Sequence, residues 1–475
     1  MKNYDFVILG GGSAGYAAAR TAADEGLKTA VVEGGKELGG LCILRGCMPS
    51  KTLLESANRF RELQAAPLFG LQAKDISYDA VAIQNRKRIL IKEFADYRAE
   101  QLRSGSFDLL RGQARFLSQN EIEIHGPDSK NEKITAQSFL IATGSTINVP
   151  KIPGLDLQGI RTSDDLLNTE FIPDSAIVLG AGPVALEGAY FLNALGCKVT
   201  LLQRSNRILK SVDPDVSTAL LHALEKQGMK IFVDAALQKV EHFEEKWQIT
   251  YRHEGQNKTV QADFVLNALG RKPNTESLNP SAASVKIAPG GQLETLETQQ
   301  TSCPHIFAAG DVCGPHEVVH IAVAQGEIAA RNAARILRRR TDALEKTDYR
   351  LKLFATFTEP QVATVGLSEA EAEAAGIPFF SACYPFDDHG KSLVLGEEEG
   401  FVKLLARQDS GEIIGASVIG PEASELIHEV VVAMNFRAGV SQFAAIPHYH
   451  PTLSEIWTYP AEEIAEKVVA ANSQG

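Results

Sequence analysis

Short apolar runs and an alanine-rich stretch alternate at the start of the chain. Residues 5–10 (DFVILG) and 28–33 (KTAVVE) predict buried strands, and residues 15–25 between them predict a helix. A strand, a helix and a second strand of these lengths form a βαβ unit. The pattern of hydrophobic positions therefore predicts an α/β fold.

The turn between the first strand and the helix has the glycine spacing of a dinucleotide site. Gly10 permits a tight turn, Gly12 lets the backbone approach a pyrophosphate, and Gly15 lets the helix pack closely on the strand. The free N–H groups at the helix N-terminus attract the anion. Glu33 follows Gly10 by 33 − 10 = 23 residues and is placed to accept hydrogen bonds from a ribose diol. The alternative is a glycine-rich turn without a ligand, but the strand, the helix and the acid all favour a dinucleotide.

The same pattern recurs farther along the chain. Residues 176–180 and 198–203 predict the strands of a second unit. Gly180 and Gly182 stand in the turn after the first of these strands, and Gln203 lies 203 − 180 = 23 residues after Gly180. Two such units, 180 − 10 = 170 residues apart, predict two dinucleotide sites. The natural pair is a flavin dinucleotide (FAD) and a nicotinamide dinucleotide.

The composition argues against several classes of function. Among 475 residues, Lys and Arg total 47 and Asp and Glu 59, so the net charge of 47 − 59 = −12 lacks the cationic excess that binds nucleic-acid phosphates. No run of about 18 apolar residues predicts a membrane span. Residues 10–12 interrupt the N-terminal apolar run, so we expect no secretory signal. Six cysteines are too few for a secreted disulfide scaffold, and we expect a cytoplasmic protein that binds neither nucleic acid nor membrane.

Cys42 and Cys47 stand close together in the sequence. The four residues between them allow a disulfide if the backbone departs from a regular helix, because the two Cα atoms must come within about 7 Å. A thiolate at a helix start is stabilised by the helix dipole, which lowers its pKa. The alternatives are two unconnected thiols or half of a zinc site, which would need two further ligands. We prefer a redox-active pair beside a flavin site.

A second motif raises the question of a metal. His316 and His320, in residues 316–320 (HEVVH), have the spacing at which two histidines on one helix bind zinc, and Pro315 suits a helix start. No third ligand is evident in the sequence. We therefore expect no metal site here.

Taken in order, these features resemble the class I FAD-dependent pyridine nucleotide–disulfide oxidoreductases, the family of lipoamide dehydrogenase and glutathione reductase. The resemblance covers nearly the whole chain and includes the two glycine fingerprints. The other matching segments are residues 42–51 (CILRGCMPSK), 142–145 (ATGS), 270–274 (GRKPN), 309–311 (AGD) and 448–455 (HYHPTLSE).

The resemblance implies two Rossmann-like dinucleotide-binding domains, for FAD and NAD(P), and a C-terminal α+β dimerisation domain. We expect the first part of the FAD-binding domain at residues 1–150 and the NAD(P)-binding domain at 151–280. A central segment of the FAD-binding domain would follow at 281–350. Residues 351–475 would form the dimerisation domain.

The resemblance also implies roles for individual residues. Cys42 would be the interchange thiol that exchanges with the substrate, and Cys47 the thiolate that faces the flavin. Lys51 and Glu187 would form an ion pair beside the reactive nitrogen of the flavin. The other expected cofactor-binding residues are Gly10, Gly12, Gly15, Glu33 at the adenosine ribose, Asp311 at the ribityl chain, Thr143, Gly144, Gly180, Gly182, Gln203, Arg204 and Gly270.

His450 would be the acid–base catalyst, oriented by Glu455 through its other ring nitrogen. A carboxylate partner raises the basicity of an imidazole, which suits removal of a proton from a thiol near neutral pH. In the family this histidine reaches the active site of the other subunit. The resemblance therefore implies a homodimer built through residues 351–475.

The substrate is left open among related reactions. Residues 448–455 resemble lipoamide dehydrogenases more than glutathione reductases, so we expect a dihydrolipoyl group. Leu41 and residues 43–45 depart from the usual segment, which leaves a specialised lipoate-dependent pathway or another low-molecular-weight disulfide open. The alternatives are a glutathione-reductase-like enzyme that uses NADPH and a non-catalytic flavoprotein redox sensor. Mercury reduction is not expected, because no cysteine pair stands near the C-terminus.

The second dinucleotide site carries an unusual residue for NAD. In NAD-preferring relatives the position of Gln203 is an acid, which repels a 2′-phosphate. Arg204 aligns with the arginine by which glutathione reductases hold the 2′-phosphate of NADPH. We expect NADP(H) to be accepted at least as well as NAD(H); the alternative is that Arg204 faces solvent.

Overall fold

The computed structural model describes residues 2–126 and 131–473. Within them the strands are β1 (Lys2–Leu9), β2 (Thr29–Glu33), β3 (Asp108–Arg111), β4 (Gln113–Phe116), β5 (Glu121–His125), β6 (Asn131–Ile141), β7 (Ser145–Ile147), β8 (Arg161–Thr162), β9 (Ser175–Leu179), β10 (Lys198–Leu202), β11 (Lys230–Phe232), β12 (Ala236–Phe243), β13 (Lys246–His253), β14 (Gln256–Ala262), β15 (Phe264–Asn267), β16 (Arg271–Pro273), β17 (Ile306–Ala308), β18 (Leu353–Thr356), β19 (Gln361–Gly366), β20 (Phe379–Pro385), β21 (Phe401–Arg407) and β22 (Ile413–Gly420). The helices are α1 (Ser13–Asp24), α2 (Gly40–Arg45), α3 (Cys47–Ala65), α4 (Ala80–Ser104), α5 (Ser163–Leu166), α6 (Pro183–Ala194), α7 (Pro214–Lys226), α8 (Val319–Leu337), α9 (Glu369–Ala374), α10 (Gly390–Leu395), α11 (Ala423–Asn435), α12 (Val440–Ala444) and α13 (Thr458–Asn472).

The chain forms two compact units, each assembled from separate stretches of sequence. The first comprises Met1–Ser50, Asn85–Asn148 and Gly270–Asp348. The second comprises Lys51–Gln84, Val149–Leu269 and Tyr349–Gly475. The four-segment division expected from the sequence stays a prediction.

The first unit is built on a seven-stranded sheet with the path β3-β2-β1-β6-β5-β4, in which β17 also pairs with β6. The strand β1 is apolar from Phe6 to Leu9, where residues on both of its faces are buried. Phe6 and Ile8 share a core with alanines of α1 and α8. Val7 and Leu9 belong to the core on the other face, together with Ile122 of β5.

The second unit contains three sheets. Parallel strands in the order β11-β10-β9-β15-β8 form one, and the antiparallel strands β12-β13-β14 form another. The third is antiparallel, in the order β18-β19-β22-β21-β20. Its core includes α11, α13 and the fully buried Trp457, whose indole N–H donates to the Leu426 carbonyl at 3.1 Å.

Both predicted βαβ units are present, as β1–α1–β2 and β9–α6–β10. The strand β1 begins three residues earlier than the apolar run, because Lys2, Asn3 and Tyr4 pair with β6. Backbone pairing therefore extends the strand over polar residues, and a search for apolar runs does not detect them. No helix in the described part of the chain is long and apolar enough to cross a membrane.

The close packing of α1 on β1 depends on Gly15. A Cβ atom on Gly15 would lie 1.8 Å from the Gly10 carbonyl oxygen, and a backbone atom there cannot move aside cheaply. We expect Gly15→Ala to destabilise the protein by about 3 kcal/mol or more. Thermal unfolding should show a melting temperature several degrees lower.

Gly182→Ala is the matched control, since a Cβ atom on Gly182 meets nothing within 4 Å. It should melt close to the wild type. Equal melting temperatures for the two variants would contradict this account of Gly15.

Candidate active site

The first glycine turn leaves a helix N-terminus open to an anion. Gly10 has a φ of 108°, and a Cβ atom there would lie 2.3 Å from the Ala142 carbonyl oxygen. Gly12 is the N-cap of α1, and because glycine has no side chain, it does not cap the first N–H groups of the helix. A Cβ atom on Gly12 would meet nothing closer than 3.9 Å. The N–H groups at the start of α1 therefore fit a pyrophosphate.

Glu33 is held above this turn by backbone donors. The N–H of Gly11 donates to Oε2 of Glu33 at 2.7 Å, and the N–H of Gly35 donates to Oε1 at 2.6 Å. The carboxylate is thus fixed beside the glycine turn at the end of β2. Its position fits the role of a ribose acceptor, and with the open helix start it makes the first unit suited to a dinucleotide.

Three motifs that are distant in sequence meet in the first unit. The hydroxyl of Ser145 donates to Oδ2 of Asp311 at 2.6 Å and accepts from Nε of Arg271 at 2.7 Å. The Thr143 hydroxyl donates to the Asn274 carbonyl at 2.7 Å, and the Asn274 N–H donates to the Gly144 carbonyl at 2.9 Å.

Gly270 begins the segment that carries Arg271 and Asn274, with a φ of 89°. Ser145, Arg271 and Asn274 were not among the residues expected to form the site. All three lie within the matching motifs, which could have indicated them. They hold Thr143, Gly144 and Asp311 in fixed positions.

The backbone between the two cysteines departs from a regular helix, as a disulfide would require. The helix α2 carries Cys42 and ends at Arg45, and α3 begins at Cys47. Gly46 between them has φ −128° and ψ −121°. A Cβ atom on Gly46 would lie 3.1 Å from Cα of Cys42, so the chain folds back toward that cysteine. Cys42 is half-buried, and Cys47 is exposed at the start of its helix.

The cysteine segment, residues 40–47, lies against the first glycine turn, residues 10–15. A Cβ atom on Gly40, the first residue of α2, would lie 2.7 Å from Cα of Gly12. Only glycine permits this approach, since its φ is also positive, at 75°. Sequence reasoning missed Gly40. Two consecutive glycines, Gly39 and Gly40, could have indicated a close backbone approach here. The contact places the α2 segment beside the predicted FAD site.

The other four cysteines lie in surroundings unsuited to redox chemistry. Burial raises the pKa of the Cys197 and Cys313 thiols to about 12. Cys383 is an exposed residue, and partial desolvation of its thiol raises its pKa to about 11. Burial also raises the pKa of Cys303. A protonated thiol is a poor nucleophile, so none of the four matches the predicted reactive pair.

Lys51 and Glu187 form the predicted ion pair. Nζ of Lys51 lies 2.8 Å from both carboxylate oxygens of Glu187, whose side chain is 8 % exposed. The N–H of Phe357 donates to the same carboxylate at 3.1 Å, and its ring lies 4.6 Å from Nζ of Lys51. Phe357 lies outside the matching motifs, and sequence reasoning missed it. The Lys51 ammonium and the Phe357 N–H together satisfy a carboxylate that would otherwise be costly to bury.

His450 and Glu455 form the predicted pair as well. Nδ1 of His450 lies 3.1 Å from both oxygens of Glu455. The histidine side chain is 79 % exposed and the glutamate 11 % exposed. A buried carboxylate thus orients an accessible imidazole. A second histidine, His389, approaches Oε1 of Glu455 to 3.5 Å, and sequence reasoning missed it.

The second glycine turn has the same open helix start as the first. Gly180 has a φ of 101°, and a Cβ atom there would lie 2.6 Å from the Ala268 carbonyl oxygen. Gly182 is the N-cap of α6 and has no side chain with which to cap the first N–H groups. A Cβ atom on it would meet nothing within 4 Å. This turn also fits a pyrophosphate.

Gln203 behaves differently from its counterpart Glu33. Its side-chain amide donates to the Ser205 hydroxyl and lies 3.5 Å from the Arg207 carbonyl oxygen. Arg204 is exposed. The amide is therefore engaged with the loop after β10, and the guanidinium is available at the surface.

The histidine motif at residues 316–320 does not form the helix of a zinc site. The helix α8 begins at Val319, so His316 precedes it. The two histidines therefore do not lie one turn apart on a single helix. Among residues 2–126 and 131–473, no group of three or more His, Cys, Asp or Glu side chains could hold a metal ion.

Comparison with known proteins places the chain in one family. Residues 4–326 match the family described as pyridine nucleotide-disulphide oxidoreductase, and residues 354–461 match its dimerisation domain. The chain is 36 % identical to a mercuric reductase of Staphylococcus aureus, over 91 % of this chain and 77 % of that protein. It is 34 % identical to a dihydrolipoyl dehydrogenase of Chlamydia muridarum, over 96 % of each. The HOCl-induced flavoprotein disulfide reductase RclA of Escherichia coli, solved as a Cu(II) complex, has a TM-score of 0.85 and 26 % identity, over 98 % of this chain and 100 % of RclA.

These matches confirm the predicted family and the α/β fold with a C-terminal dimerisation domain. The match to a dimerisation domain supports a homodimer. FAD and a pyridine nucleotide are confirmed as cofactors, without a choice between NAD and NADP. The chain belongs to the class I pyridine nucleotide–disulfide oxidoreductases, flavoproteins that act on sulfur groups.

Proposed function

We propose that this protein is a dihydrolipoyl dehydrogenase-like enzyme that moves two electrons between a dithiol and a pyridine nucleotide. The observation that carries the proposal is the contact of the cysteine segment with the glycine turn, at Gly40 and Gly12. It supports a place for Cys42 and Cys47 beside FAD. The exposed His450, oriented by Glu455, supports a proton acceptor for a thiol.

In the proposed reaction the substrate dithiol exchanges with a Cys42–Cys47 disulfide. His450 takes the proton of one substrate thiol, and the thiolate attacks Sγ of Cys42, so that Cys47 leaves as a thiolate. The second substrate thiol attacks the first substrate sulfur and passes its proton to Sγ of Cys42, which is released as a thiol. The substrate is then a disulfide, and the two cysteines hold two more electrons. FAD, held at the first glycine turn and by Glu33 and Asp311, would supply the carrier of these two electrons to the pyridine nucleotide.

Each charged residue has a defined task in this proposal. The position of Cys47 at the start of α3 favours its thiolate over its thiol. Lys51 follows one turn later on the same helix and is fixed by Glu187. Following the family, we assign this ion pair to the neighbourhood of the flavin. Asp311 and Glu33, both held by hydrogen bonds, would bind the ribityl chain and the adenosine ribose.

A lipoyl dithiol is the substrate that we favour. Residues 448–455, which carry the His450–Glu455 pair, have the form that resembles lipoamide dehydrogenases, and the dihydrolipoyl dehydrogenase of Chlamydia muridarum is 34 % identical to this chain. We further propose that His450 of one subunit serves the thiol pair of the other subunit in a homodimer. The cytoplasmic location and the lack of a nucleic-acid partner stay predictions from the composition.

A steady-state panel tests the substrate. Dihydrolipoamide, glutathione disulfide and a thiol-free dye acceptor would each be assayed with both nicotinamides. We expect turnover of dihydrolipoamide, together with long-wavelength absorbance on partial reduction, when a thiolate faces oxidised flavin. Cys47→Ser should keep FAD and lose both signals. Reduction of the dye alone by the wild type would rule out the dithiol substrate.

Replacement of His450 tests the proton acceptor. His450→Gln removes the base but leaves flavin reduction by the nicotinamide intact, so the thiol half-reaction should slow by about 10²-fold or more. Rapid mixing with each substrate separates the two half-reactions. His448→Gln is the matched control, since this neighbouring histidine pairs with Glu429 at 2.7 Å instead. A His450 variant as fast as the wild type in the thiol half-reaction would contradict the assignment.

We also propose that the enzyme accepts NADP(H) at least as well as NAD(H). The amide of Gln203 is bound to the following loop, and no acid stands there to repel a 2′-phosphate. The exposed guanidinium of Arg204 can make a charge-assisted contact with that phosphate.

The ratio of kcat/KM for the two coenzymes tests this. Arg204→Met should lower kcat/KM for NADP(H) about tenfold, equivalent to about 1.4 kcal/mol, and leave the NAD(H) value unchanged. Lys198→Met, at the exposed start of β10, serves as a charge-matched control. A tenfold or larger preference of the wild type for NAD(H) would show that Arg204 points away from the coenzyme.

A further inference from the structure

His389 is a buried histidine that the family motifs do not include. It lies just before α10, and its side chain has no exposed surface. The rings of Phe386 and Tyr459 pack edge-on to it, each with its centroid 6.5 Å away. A histidine is expensive to bury as a cation, and burial lowers the pKa of His389. The ring is therefore neutral near neutral pH.

The two ring nitrogens of His389 face different groups. Nδ1 lies 2.9 Å from the hydroxyl of Ser392, which can donate a hydrogen bond. Nε2 lies 3.5 Å from Oε1 of Glu455, an ion-pair distance, and makes no hydrogen bond within the described residues. A carboxylate has no proton to donate. The neutral ring must therefore accept from Ser392 at Nδ1 and carry its hydrogen on Nε2, directed at Glu455.

We propose that His389 is a positioning residue for the His450–Glu455 pair, and that its Nε2–H stabilises the Glu455 carboxylate and so sets the pH at which His450 can take a proton. This inference rests on the proposed role of His450 as the proton acceptor. Glu455 is then shared between an exposed imidazole that exchanges protons and a buried one that does not.

The direction of the effect follows from charge. A donor that stabilises the carboxylate favours the state in which His450 is neutral and Glu455 is charged. Without this donor the buried anion is less stable, and the pair retains its shared proton up to a higher pH. Loss of the Nε2–H should therefore raise the pH at which the His450–Glu455 pair releases its proton.

Other titratable groups around His389 are few in the described structure. From other elements they are Glu455 and His450, and Tyr459 of α13. On its own segment, Asp388 accepts a hydrogen bond from Tyr384 at 2.9 Å. Among these, Glu455 is the carboxylate that faces Nε2 of His389.

Two amide variants separate the donor from the rest of the ring. The amide nitrogen of Gln can occupy the place of Nε2, and that of Asn the place of Nδ1. His389→Gln should therefore keep a donor toward Glu455, whereas His389→Asn keeps a polar group toward Ser392 alone. His389→Phe keeps the ring shape and removes both nitrogens. FAD absorbance and thermal melting of each holoenzyme would establish which variants fold.

The pH dependence of His450 is measured in two ways. The rate at which diethyl pyrocarbonate modifies His450, followed by mass spectrometry, reports the neutral imidazole without any substrate. The thiol half-reaction with dihydrolipoamide reports the same group in catalysis. We expect the midpoint of both profiles to rise by about 0.5 to 1 pH unit in His389→Asn and His389→Phe, and to stay near the wild-type value in His389→Gln.

The outcomes distinguish this inference from the proposed function. Equal midpoints for the Asn and Gln variants, or an activity loss that is the same at every pH, would overturn the role of His389. If His389→Phe does not fold, the comparison of Gln with Asn still decides. If dihydrolipoamide is not a substrate, the proposed function fails, while the modification profile of His450 still tests His389.

Discussion

Direct contact between backbones, at positions where a side chain would not fit, organises the first unit. A Cβ atom on Gly15 would lie 1.8 Å from the Gly10 carbonyl oxygen. A Cβ atom on Gly40 would lie 2.7 Å from Cα of Gly12, and one on Gly326 would lie 2.2 Å from the Ala14 carbonyl oxygen. These contacts bring the glycine turn, the cysteine segment and α8 onto the first turn of α1. Because the backbone at Gly12 forms the proposed anion site and also contacts the cysteine segment, a shift of that segment would disturb the proposed dinucleotide site. In the proposed function this constraint would couple cofactor binding to the cysteine pair.

Local spacing made much of this site predictable from sequence, and long-range contacts account for what was missed. The resemblance to the family supplied the Lys51–Glu187 pair, whose members are 136 residues apart. The glycine turns and the His450–Glu455 pair lie within motifs of recognisable residue types. Phe357 and His389 do not, because their partners Glu187 and Glu455 are 170 and 66 residues away (357 − 187, 455 − 389). Nothing in the neighbourhood of a single phenylalanine or histidine in a sequence indicates such a partner.

Three carboxylates of the candidate site are each held by more than one donor, and the kind of donor differs. Backbone N–H groups of Gly11 and Gly35 hold Glu33. The Lys51 ammonium and a backbone N–H hold Glu187. None of those donors is an imidazole. Glu455 alone among the three contacts imidazoles: the exposed His450, which we propose as the proton acceptor, and the buried His389, which does not exchange protons. The pH dependence of the proposed reaction should therefore originate at Glu455 and His450.

The two dinucleotide units share their backbone design but use the last position of the second strand in different ways. Glu33 turns back toward its own glycine turn and binds the Gly11 N–H. Gln203 instead binds forward, to Ser205 and toward the Arg207 carbonyl, and so shapes the loop that carries Arg204. An acid at that position would carry a charge near the ribose, whereas a neutral amide that is already engaged contributes none. In the proposed coenzyme site we therefore expect the residue at the strand end not to distinguish a ribose hydroxyl from a 2′-phosphate. The cation Arg204 on the exposed loop would determine which coenzyme is preferred.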